Sequence, residues 1–93
     1  MSEKAGKYGI LRMNFLKTNR PEFYAQLLLN GELANHLSDI NVRATTAVQE
    51  VLSELLNANP PPNKIQHTEK WAQHMNTAKR QAEEIVCSEL IYI

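Results

Sequence analysis

The sequence predicts an all-α protein: a small helical bundle dominated by a long antiparallel helical hairpin, with two short N-terminal helices packed across it. Three observations carry this expectation. Apolar residues recur at steps of three and four along two long segments, with no competing alternation of period two. Three consecutive prolines, Pro60–Pro62, separate those segments, and no helix interior continues through them. The chain has 93 residues, enough for one domain, because a second core would bury too little surface to stand alone.

The first short helix, about residues 7–18, shows the amphipathic stripe Tyr8, Leu11, Phe15 and Leu16. The second, about 21–30, is entered through Asn19-Arg20-Pro21-Glu22. Proline is favoured in the first helical turn, and an acid there complements the helix dipole. Phe23, Tyr24, Leu27 and Leu28 form its apolar face, and Asn30-Gly31 ends it through a left-handed cap.

The first long helix, about 32–57, carries Leu33, Leu37, Ile40, Ala44, Ala47, Val51 and Leu55, and Val48, Leu52 and Leu56 widen the stripe. That width suits a helix lying on a core. A proline-rich loop, 58–64, precedes the second long helix, about 65–91, with Trp71, Met75, Ala78, Ala82, Ile85, Val86 and Leu90 at the same rhythm. Each long helix should run roughly 35–40 Å, and a short stiff loop folds such a pair back on itself. Ala44, Ala47, Ala78 and Ala82 would let the backbones approach at the seam, with Trp71 and the leucines filling its ends.

Composition narrows the function classes. Ten Lys plus Arg balance ten Asp plus Glu, which argues against a strongly basic nucleic-acid module. With 43% hydrophobic and 22% charged residues, the chain is not of the disordered type. A single cysteine, Cys87, excludes an internal disulfide and a multi-thiolate zinc site, so a reducing cytoplasm is the expected localisation. No signal peptide is legible at the N-terminus. Apolar runs such as Leu27–Leu29 and Ile91–Ile93 are far shorter than the roughly 20 residues a membrane helix needs.

Charge is unevenly distributed. Lys7, Arg12, Lys17 and Arg20 make a basic edge in the first 20 residues, where five cations face Glu3 alone. Glu32, Asp39, Glu50 and Glu54 run along one side of the first long helix, interrupted by Arg43. Arg12, Lys17 and Arg20, with Glu32, Asp39, Glu50 and Glu54, are therefore the candidate partner-binding residues. The step Leu28-Leu29-Asn30-Gly31-Glu32-Leu33 resembles a helix-turn-helix turn. Its second helix would present Glu32 and then Asp39 to phosphates, so specific DNA reading is not expected.

Nothing assembles into a metal, cofactor or catalytic set. His67 and His74 lie about 10 Å apart along a helix, too far to chelate one ion, and His36 with Asp39 lacks a third ligand. Cys87 has no neighbouring histidine to activate it. Glu83 and Glu84 diverge by about 100° around their helix, which leaves them no shared acid–base task. The chain is expected to be no enzyme.

Two blocks carry a family resemblance. The first is Arg12-Met-Asn-Phe-Leu-Lys-Thr-Asn-Arg-Pro21, continuing through Tyr24, Leu27–Leu29, Gly31, Leu33, Leu37 and Asp39-Ile40. The second is Trp71, Met75-Asn76, Arg80 and Ala82-Glu-Glu-Ile-Val86, closing on Glu89-Leu-Ile-Tyr92. Together they resemble the TnpV family, small proteins encoded in bacterial transposons and other mobile elements. Typical members have a further segment before the tyrosine-containing helix, and Thr45–Lys70 matches only in helical character. The family brings no established activity or residue set, only a setting. The resemblance implies an accessory protein acting by protein–protein contact, for instance with the element's recombinase. The alternative is an anti-defence inhibitor of the anti-CRISPR type that blocks a host nuclease. A homodimer is compatible with either.

Overall fold

A computed structural model describes residues 2–93, with side chains from Gly6 onward. Helix α1 (Ser2–Asn19) is interrupted at Gly6, whose φ of +71° suits only a residue without a Cβ, and its regular part begins at Lys7. The cap for that entry comes from a distant helix. Asn41 Oδ1 accepts the backbone N–H of Tyr8 at 3.0 Å, satisfying a donor that the helix start leaves free.

Helix α2 (Pro21–Leu29) has proline in its first turn, as expected. Its end is a Schellman arrangement: Glu32 N–H donates to the carbonyl of Leu27 and Gly31 N–H to that of Leu28. Gly31 takes φ +72° there, the left-handed cap the sequence predicts. Helix α3 (Leu33–Ala58) follows, then α4 (Thr68–Val86), which passes into a π-helical turn at Cys87–Ile91. Among the described residues there is no strand.

Helix α3 is the centre of the assembly. Tyr8 reaches Asn41 while Arg12 reaches His36, so α1 runs antiparallel alongside α3 rather than across it. A hydrogen bond between His74 Nε2 and the carbonyl of Asn59, at 2.7 Å, joins the far end of α3 to α4 and fixes the hairpin. Helix α1 reaches α4 through side chains alone. The core joins Leu37, Ile40, Ala44 and Val48 of α3 to Ala78, Ala82 and Val86 of α4, closed by Tyr8, Leu16 and Ile91. The molecule measures 55 × 22 × 18 Å, with a radius of gyration of 16.3 Å. A compact chain of this length would have about 12 Å, so this is a rod.

Three expectations are corrected. Helix α4 begins at Thr68 rather than Ile65 because Asn63 captures the chain first: its Oδ1 accepts the amides of Ile65 and Gln66, at 2.9 and 3.0 Å. Such a side-chain turn competes with a helical one. Ile65 is left 88% exposed. Ile85 lies off the seam, 41% exposed, since Ala78, Ala82 and Val86 hold the inward positions. The seam then advances five residues, because the π turn, closed by Tyr92 N–H on the carbonyl of Cys87, inserts one residue and brings Ile91 inside. Trp71 is only half-buried, and Lys64 Nζ stands 4.7 Å from its ring centre. It flanks the seam instead of anchoring it.

Candidate functional site

Most polar organisation lies where α1, the first half of α3 and the C-terminal turn meet. Tyr8, Arg12 and Leu16 follow one another at steps of four, so they share the inner face of α1, and all three are buried. Arg12 is 5% exposed. Its Nη1 donates to the carbonyl oxygen of Ile91 at 2.9 Å and its Nε to His36 Nε2 at 3.3 Å. The expected surface edge of Arg12, Lys17 and Arg20 therefore loses its first member. The guanidinium is an internal tie between α1, α3 and the end of the chain.

That tie constrains His36. To accept from Arg12, its Nε2 must carry a lone pair, so the ring is neutral. Burial pushes its pKa down, the charge of Arg12 adds to this, and Asp39 opposes both. Phe23 of α2 meets the same ring edge to face at 5.6 Å. His36 is thus occupied by packing and by Arg12, and it has no lone pair left for a metal.

A second cluster joins α1 to α4. Glu83 Oε2 accepts from Lys7 Nζ at 2.7 Å and from the Tyr8 hydroxyl at 2.8 Å. These two bonds hold the carboxyl below the usual carboxylate range. Burial, then the bond to Glu83, pushes the Tyr8 hydroxyl upward. Burial also pushes the Cys87 thiol up, with Glu83 nearby adding to it, so the sulfur stays protonated.

Lys17 and Arg20 remain at the surface where α1 turns into α2. Lys17 Nζ lies 5.6 Å from the Tyr24 ring, and Arg20 lies 5.5 Å from that of Phe23. Arg20 Nη1 also donates to the carbonyl of Ile93 at 2.6 Å. Glu32, Asp39, Glu50 and Glu54 are all exposed. Asp39 is paired with Arg43 at 3.0 Å. Glu32 and Glu54 stand roughly 33 Å apart along the helix, so the acidic residues form a long edge and no single site. His67 and His74 do not meet, the latter being bound to Asn59, and no group of metal-ligating side chains gathers among the described residues.

The exposed part of α2 is apolar. Leu27 faces the core, while Leu28 and Leu29 are 56% and 85% exposed. Glu22 is the only charged residue of the helix. The sequence places Leu28 on the inward apolar face of this helix and gives Leu29 no role, but the inward position is taken by Leu27 and both leucines are exposed; a helix of nine residues with one charge is itself the signal. Asn41 was given no role and Glu83 was set aside as lacking an acid–base task, because their partners lie 33 and 75 residues away.

No described helix is long and apolar enough to cross a membrane. Among curated proteins and solved structures, none matches the chain. A family model for the transposon-encoded protein TnpV matches residues 1–91, spanning 45–70 as well as the two blocks of resemblance. With its match covering nearly the whole chain, the protein belongs to the TnpV family of transposon-encoded proteins.

Proposed function

We propose that the chain is a non-catalytic accessory protein of a bacterial mobile element, working in the cytoplasm by binding another protein such as the element's recombinase. The observation that carries this reading is the apolar tip of α2. Leu28 and Leu29 follow one another on that helix, about 100° apart around its axis and both exposed, while Leu27 and Phe23 fix its inner side. Adjacent large apolar side chains held out on a rigid element, with Lys17 and Arg20 at the rim, fit a protein-docking patch. The inhibitor alternative would rest on the acidic edge competing with nucleic acid. Arg43, paired with Asp39, breaks that edge near its middle, which favours the first reading.

The test is direct binding of the purified chain to the recombinase of its own element. Wild type should bind, and Leu28→Glu with Leu29→Glu should weaken binding at least tenfold while helicity is retained. No binding of wild type at about 10 µM overturns the recombinase assignment. Inhibition of a purified defence nuclease by the same preparation would move the reading to the inhibitor.

A further inference from the structure

We propose that Arg12 and His36 form an acid-released latch, in which protonation of His36 frees the C-terminal segment, residues 87–93, from α1. The device rests on how one buried guanidinium is shared. Arg12 is 5% exposed, and it gives Nη1 to the carbonyl of Ile91 at 2.9 Å and Nε to His36 Nε2 at 3.3 Å. A proton on that imidazole nitrogen removes the acceptor and sets two cations against each other. A buried cation is tolerated while its donors are matched, and a single proton ends the match.

Which side yields follows from the packing. Helix α1 is held by Tyr8 and Leu16, and α3 by Leu37, Ile40 and Ala44, all buried. After Val86 the chain leaves the α-helical ladder for a π turn, closed by Tyr92 N–H on the carbonyl of Cys87. Its polar ties to the α1 side are the Arg12 bond and the exposed bond from Arg20 Nη1 to the carbonyl of Ile93. The ring of Tyr92 adds a contact with Phe15 at 5.7 Å. This segment is the part that gives way. Opening uncovers Ile91, fully buried in the closed state, and parts Phe15 from Tyr92.

The surroundings of His36 set the resting state. Arg12 from α1 and Asp39 on α3 are the charges that act on it, and Arg20 bears in turn on Arg12. Helix α2 presents the ring of Phe23 at 5.6 Å, and the C-terminal segment reaches His36 through the guanidinium they share. Burial, then Arg12, holds the pKa of His36 below its ordinary value against the opposing pull of Asp39. The latch is therefore closed at neutral pH and opens as pH falls through that lowered value. This inference goes beyond the partner reading above and does not depend on it.

Nuclear magnetic resonance of the full chain, titrated from pH 8 to 4.5, reads both ends of the latch. The His36 ring signals and the backbone amide signals of residues 87–92 should move with one midpoint below about 6.5. Amide signals of residues 37–48 in α3 should stay in place. His36→Gln, whose side-chain oxygen still accepts from Arg12, should keep the segment closed over the same range. Tyr92→Ala, which removes the contact with Phe15, favours the open state and should raise the His36 midpoint toward its ordinary value, because the coupling is reciprocal. The proposal is overturned if the ring titrates while the segment signals stay still, or if the ring stays neutral until the helices unfold. It is equally overturned by a segment that opens in His36→Gln at the same pH, or by a His36 midpoint that Tyr92→Ala leaves unchanged.

Discussion

Arg12 Nη1 donates to the backbone carbonyl of Ile91 at 2.9 Å, so a buried cation on the first helix holds the last turn of the chain. Nearby, Arg20 repeats the contact at the surface, on the carbonyl of Ile93. Phe15 and Tyr92, with ring centres 5.7 Å apart, fill the space between. The C-terminal segment is therefore clasped by α1 and is not simply the continuation of α4.

Removing the clasp should loosen that segment first. Arg12→Ala is expected to cost about 1.5–3 kcal/mol, the range for a hydrogen bond made by a charged group. Amide hydrogen exchange at 87–92 should accelerate more than exchange in the first half of α3. Arg12→Lys should not rescue it, since one ammonium lacks the planar fork that serves Ile91 and His36 together.

Acid should act on the protein in two windows. The pKa of His36 is depressed in the folded state, so the unfolded chain binds its proton more readily and stability rises with pH. Its contribution is complete above the unfolded value near about 6.5 and is lost as pH falls through the lower folded one. Glu83 is depressed likewise, and its contribution is lost only as pH falls below its unfolded value of about 4.3. Urea midpoints from pH 7.5 to 3 should show both declines. His36→Gln should flatten the upper one and Glu83→Gln the lower.

Gly6 and Asn41 should be energetically coupled. A Cβ at Gly6 would collide with the side chain of Asn41, and the positive φ adds backbone strain. Gly6→Ala is expected to cost about 1–3 kcal/mol. Asn41→Ala, which strips the Tyr8 amide of its cap, should cost about 1 kcal/mol. The double variant should cost less than the two together, because removing the Asn41 side chain relieves the collision. Additivity in chemical denaturation would disprove the contact.

Burial ranks the core positions differently from side-chain size. Ile91 is fully buried, so Ile91→Ala should cost about 2–5 kcal/mol. Trp71→Ala, at a half-buried site, should cost clearly less in the same denaturation series. A larger loss at Trp71 would place the indole in a core that the structure does not show.

The helices were legible because their signals are local. The three-and-four spacing on α3, proline at the start of α2, Gly31 at its end and the triple proline each act within a few residues. They dictate an all-α hairpin whatever the rest of the chain does. The family was legible for the same reason, in runs of adjacent residues.

What only tertiary structure decided is which polar groups those helices use on one another. Spacing places Arg12 on the face of Tyr8 and Leu16, but only the arrival of Ile91 and His36 makes burial of a cation tolerable, by giving its donors acceptors. The π turn likewise has no local motif, and it brings Ile91 onto the seam in place of Ile85. Asn41 reads as an ordinary surface residue until α1 breaks at Gly6 beside it. Such pairings join residues dozens of positions apart. Helical periodicity carries no information across that distance, whereas the requirement that every buried donor find an acceptor applies only once the helices have met.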